Sequence, residues 1–209
     1  MKTARKVLII ALCAVLLVSI SVMGTMAYLT SQASVTNTFT VGKVGIELDE
    51  ALVDANGKEI TDENAKRVKE NKYKLLPGLD YDKDPTIHVA DDSENCWLFV
   101  KVENGIAGIE AASENTETGY KNITDQIKGH SWTQLVVNDK EVPNVYYKSY
   151  SKTQTEKDLV VFDTFKINGA KDADDIAAVK DAKITVTAYA VQADGFDNAS
   201  DAWTIGLGK

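Results

Sequence analysis

The chain has 209 residues, 44% of them hydrophobic, and a net charge of -8. That is enough apolar chain for one domain with a sizeable core. The acidic balance excludes nucleic acid and anionic membrane surfaces as partners, because both need clustered Lys and Arg.

In chain order, the first feature is a basic head, Lys2, Arg5 and Lys6, followed by an uncharged apolar run from Val7 to Val22. The run is about 16 residues, short of the roughly 20 that span a bilayer. With the small residues Thr25 and Ala27 flanking Met26, it reads as a secretory signal peptide cut between Ala27 and Tyr28, and Ser31-Gln32-Ala33 stands as a second small-x-small site. Removing Lys2, Arg5 and Lys6, with no acid among residues 1–27, takes the charge from -8 to -11. The expected domain is 28–209, a secreted chain that meets a membrane only as its precursor. Cys13 leaves with the signal, so Cys96 is the sole cysteine of the mature form and no intrachain disulfide is expected.

Tyr28 to Val41 alternates β-branched or aromatic residues with polar ones and holds no Pro and no charge. Val44, Ile46 and Leu48 then share one side of a first strand, and Asn56-Gly57 centres a turn. Residues 61–74 are polar, with only Ala65 and Val68 to build an apolar side, so a short exposed helix and a solvated crossover are both open readings. Residues 84–90 form a strand opened by Pro85. Residues 96–102 form the clearest strand of the middle, with Cys96, Leu98, Val100 and Val102 on one face and Trp97, Phe99 and Lys101 on the other. Apolar residues on both faces predict a central or covered position.

Ile106, Ile109, Ile123 and Ile127 suggest short helices across the loop of residues 103–129. Strands are expected over 132–137, 144–151 and 159–167, a two-turn helix over 171–180 behind a run of aspartates, and the longest strand over 183–192, where Ile184, Val186, Ala188 and Ala190 share a face. Residues 198–205 read as a terminal helix or turn that packs Trp203 on the body. About eight strands without a βαβ rhythm give a mainly β, antiparallel sandwich with short inserted helices.

Catalytic patterns are sparse. His88 and His130 are isolated, no His-Glu-x-x-His or Gly-x-Ser-x-Gly occurs, and Cys96 sits within a strand without a cationic neighbour. No catalytic residue, metal ligand or cofactor is therefore expected. Asp80, Asp82 and Asp84 partly mimic a calcium loop, but Pro85 stands where its glycine belongs and Asp91 where its bidentate Glu belongs, so a solvated turn is the expected reading.

The chain resembles the TasA/camelysin family of secreted Gram-positive proteins. The resemblance rests on Gly24, Thr25, Ala27 and Tyr28 around the cut, and on Asn37, Phe39, Gly42 and Val44 after it. It continues through Leu76-Pro77-Gly78, Lys83-Asp84-Pro85, residues 97–102, residues 184–193, Gly195-Phe196 and Ala202-Trp203. It implies a jelly-roll-like β-sandwich, processing by a dedicated signal peptidase, and a non-enzymatic subunit of biofilm-matrix fibres or the cell surface. It further implies self-association, or association with related matrix proteins, by donation of the N-terminal strand, with Leu29, Val35, Asn37, Phe39 and Gly42 in the assembly segment. From the residues alone, pairing of that segment within its own sheet is as good a reading as donation. Two other functions stay open: a secreted metal-dependent protease of camelysin type, for which no zinc-ligand motif is present, and a monomeric surface adhesin.

Overall fold

Left-handed backbone at Gly57, Gly78 and the Asn138–Asp139 pair marks turns of this chain, and residues 96–102 between them alternate strictly enough to fill two faces. The computed structural model describes residues 43–209, which form one compact unit. Ten strands build three antiparallel sheets. The first sheet contains β1 (Ile46–Ala51), β2 (Arg67–Val68), β4 (Thr86–Val89) and β8 (Asp158–Val160) in the order β2-β1-β4-β8. The second contains β5 (Cys96–Asn104), β6 (Thr133–Val137), β7 (Lys140–Tyr150) and β10 (Ile184–Gln192) in the order β10-β5-β7-β6. A two-stranded sheet pairs β3 (Asp80–Asp82) with β9 (Thr164–Lys166).

β5 shows how the alternation becomes packing. Cys96, Leu98, Val100 and Val102 join Ile87, Val89 and Leu159 of the first sheet in one core. Phe99 points the other way, into a second core with Leu135, Val145, Ala202 and Trp203. The cover on that side is α3 (Ala199–Asp201) running into a π-turn, Ala202–Gly206. β5 is thus covered on both faces, as the apolar residues on its two sides require, and Trp203 does pack back on the body.

The β6–β7 hairpin turns through Asn138 and Asp139, with φ of 51° and 60°, the left-handed pair that matches strand twist. Gln134 opposes Tyr146 and Val136 opposes Glu141, so β7 spends five positions where β6 spends two. Pro143 lies in the excess, where a missing N–H costs no ladder bond. The Gln134 amide closes the bulge by donating to the Val142 and Val145 carbonyls at 2.7 and 3.0 Å.

Two helices flank the sheets. In α1 (Ile123–Gly129) Ile123 and Ile127, one turn apart, are both buried, and the Asn122 side chain caps the first turn. Glu110 fixes its start by accepting from Ile123 N at 2.8 Å, Tyr120 Oη at 2.9 Å and Asn104 Nδ2 at 2.7 Å. The aspartates of residues 171–180 form a capping box, Asp172 with Asp175, at the head of α2 (Ala173–Ala178).

Other expectations shift. Residues 61–74 contain no helix and contribute only β2. Ile106 and Ile109 are buried but sit in turns. The acidic Asp80-Tyr81-Asp82 is a strand, because Tyr81 is fully buried and stacks on Phe165 with centroids 5.0 Å apart. The expected strand over 159–167 is two strands in different sheets, β8 and β9, broken where Val161 and Phe162 enter the core. No helix among the described residues is long and apolar enough to cross a membrane.

Candidate functional site

β10 reads ITVTAYAVQ, nine residues without a charge. It pairs with β5 along its whole length, from Ile184 opposite Asn104 to Gln192 opposite Cys96. Among the described residues no strand pairs with its other edge. Natural edge strands are commonly blunted by Lys, Pro or bulges; β10 has none of these. Its inward residues Ile184, Val186, Ala188 and Ala190 pack on the core but are only half-buried.

Across from β10 lies β1, and between them opens a cavity of about 990 Å³. Leu48, Tyr73, Phe165, Ile176, Ile184 and Val186 supply its apolar walls, with α2 at one side. Tyr73 meets Phe165 edge-on at 5.0 Å and donates its hydroxyl to the Asp82 carbonyl at 2.9 Å. Burial, reinforced by the nearby Glu50, pushes the Tyr73 phenol far above its ordinary value, so it stays a neutral donor. One polar feature interrupts the wall. The Lys83 ammonium pairs with Glu50, which is 4% exposed, and Asn71 donates to Glu50 at 3.1 Å and to the Ala51 carbonyl at 2.7 Å.

The acidic residues read as a partial calcium loop are divided among cations. Lys58 pairs with both Asp80 and Asp82, while Asp84 accepts from Arg67 at 2.8 Å and from Ala51 N at 2.6 Å. His130 pairs with Asp163 at 2.6 Å and shares no partner with His88 among the described residues. No group of three or more His, Cys, Asp or Glu suited to a metal ion occurs among the described residues. Cys96 is buried, and that burial pushes its thiol up to about 11, the opposite of activation.

His88 ties three strands together. Its Nε2 lies 2.8 Å from Asp49 on β1 and its Nδ1 2.7 Å from Asp158 on β8, and Asp49 also pairs with Arg67 of β2. Both ring nitrogens donate only in the imidazolium. Burial by itself would lower the His88 pKa, but the hydrogen bonds to Asp158 and Asp49 outweigh it and the value is raised above 6.5. A raised histidine stabilises fully below its unfolded value and loses that contribution as pH rises through the folded one. Glu47, opposite His88 on β1, is taken up by Lys69 at 2.6 Å. Urea unfolding at about pH 5.5 and about pH 8.5 should therefore show the wild type losing about 1 kcal/mol more than His88→Gln, allowing for partial exposure. Equal losses would remove the ladder from the stability account.

The residues expected to form the processing and assembly segment, Ala27, Tyr28, Leu29, Val35, Asn37, Phe39 and Gly42, lie outside the described residues. What sequence reasoning missed is the open edge of β10 and the cavity beside it. The strand over 183–192 was legible, but its open edge was not, because nine uncharged residues suit a strand with two neighbours as well as one. The Glu50–Lys83 pair left no signal at all among so many charged residues. Comparison with known protein families, with characterised proteins and with solved structures finds no match to the chain.

Proposed function

We propose that this chain is an exported, non-enzymatic structural subunit of an extracellular fibre or cell-surface layer, joined to its neighbours by insertion of the N-terminal segment of one copy beside β10 of the next. The single observation that carries this reading is β10 itself. It is a long uncharged strand whose second edge has no strand partner among the described residues, and its inward apolar face is half-covered beside a cavity of about 990 Å³.

An extended peptide added to such an edge gains main-chain hydrogen bonds, and its alternate side chains fill the pockets. The N-terminal segment alternates accordingly: Thr30, Gln32, Ser34, Thr36 and Thr38 follow Tyr28 on one side, while Leu29, Ala33, Val35 and Phe39 share the other with Ser31 and Asn37. A copy that both gives a strand and accepts one makes a heterologous contact, which extends into filaments when it does not close into a ring. The resemblance to the TasA/camelysin family supports the same role, with a jelly-roll-like sandwich, cleavage at Ala27–Tyr28 by a dedicated peptidase, and related matrix proteins as further partners. No metal or cofactor enters this reading.

The test compares two purified forms by negative-stain electron microscopy after concentration, one starting at Tyr28 and one at Gly42. Filaments are expected from the first and monomers from the second, with neither showing chelator-sensitive casein cleavage. Monomers from both, the longer form still folded, would sink self-assembly and favour an adhesin. Chelator-sensitive cleavage would instead restore the metalloprotease.

A further inference from the structure

The cavity lies at one end of β10 and the described chain begins at the other. Its walls include Ile184, Thr185 and Val186, the start of the strand. Where β10 finishes, Ala193 N donates to the Asn95 carbonyl at 2.8 Å, and Glu94 N donates to the Lys43 carbonyl at 3.0 Å. Lys43 also pairs with Asp92 at 2.6 Å. Lys43, the first described residue, therefore lies at the end of β10 remote from the cavity.

Resting on strand insertion as proposed above, we infer that the cavity beside α2 is the pocket for Phe39 of a second copy, and that this fixes the polarity of the assembly. Three observations converge. Phe39 is the only aromatic residue on the apolar side of the segment, and the cavity offers the edge-to-face pair Tyr73 and Phe165 together with Ile176 and Val186. With Phe39 opposite Val186, whose side chain shares its face, Val35 falls about 13 Å further along β10, opposite the small side chain of Ala190. Reversed, with Leu29 opposite Val186, Ala33 would stand opposite Ala190 and leave the space unfilled. Third, the same chain does not reach. Four residues from Lys43 to Phe39 span at most about 14 Å, whereas Thr185 to Gln192 is about 23 Å of strand.

The consequence is directional. Phe39 in its pocket brings Lys43 of the donating copy within about 14 Å of the acceptor's α2 end. The end of one copy that carries the β4–β5 turn then adjoins the opposite end of the next, an open head-to-tail contact. The reversed polarity brings like ends together and favours closed pairs.

The experiment mixes mature full-length variants under mild oxidation and reads non-reducing gels. Phe39→Cys mixed with Val186→Cys should give a disulfide-linked dimer found in neither variant alone, and Leu29→Cys mixed with Val186→Cys should not. Light scattering checks that each variant still elongates. As a second measurement, Phe39→Ala should raise the concentration needed for elongation about tenfold or more, and Leu29→Ala less than about threefold. Cross-linking through Leu29→Cys would overturn the polarity. An intramolecular Phe39→Cys/Val186→Cys bridge would overturn donation of Phe39 to a second copy. Wild-type filaments with no cross-link and no Phe39→Ala effect would overturn the pocket while leaving the fibre intact. If the wild type forms no filaments, the failure lies in the proposed function itself.

Discussion

Replacing Lys83 by Met should cost about 3–5 kcal/mol of folding stability, among the largest losses available to any single substitution in this chain. The Glu50 carboxylate is 4% exposed and Lys83 is its only cationic partner among the described residues. Removing the ammonium leaves a charge in a low-dielectric site with Asn71 as its one remaining side-chain donor among the described residues. The loss measures that stranded charge more than any net value of the ion pair, because pairing two buried ions mainly offsets their desolvation. The double variant Glu50→Leu/Lys83→Met should therefore fall within about 1 kcal/mol of the wild type. Urea unfolding of the three proteins decides the matter. A double variant as unstable as the single one would mean that the pair is worth far more than its desolvation.

Trp203→Ala is expected to be comparably severe, at about 3–5 kcal/mol. Trp203 is 6% exposed, packs on Phe99 with centroids 5.1 Å apart and meets Tyr189 edge-on at 5.7 Å. Its loss opens a cavity on the covered side of the second sheet and uncovers Phe99, which is completely buried. For a domain of this size the midpoint of thermal unfolding should fall by roughly 6–20 °C, and Trp203→Phe should recover more than half of the loss. A change under about 1 kcal/mol would show that the C-terminal turn is a loose cover and not part of the core.

Much of this was legible in the sequence because alternation reports burial directly. The two faces of β5 could be assigned residue by residue, and so could the inward face of β10. Trp203 could be placed on the body because a lone tryptophan near a chain end has few other ways to bury its area. Interruptions were harder to read. Residues 159–167 look like one strand, since Val161 and Phe162 are as apolar as a strand interior; only tertiary packing sends them into the core and makes the chain change sheets. Asp80 and Asp82 looked like a solvated turn because their cation, Lys58, comes from more than 20 positions away. An edge is harder still. Whether a strand has one neighbour or two is a property of the whole sheet, and the residues of β10 would read the same in either position.

The layout of the second sheet also sets a timetable. β5 leaves the ribosome first; β10, its neighbour along nine residues, follows some 90 residues later, and Trp203, the cover over Phe99, some 100. At about 5–20 residues per second that interval is on the order of 5–20 s. Through those seconds Leu98 and Phe99 lack part of the surroundings that will bury them, and the contacts still to come are long-range and slow to form. Any factor that binds extended apolar chain has that long to find this one.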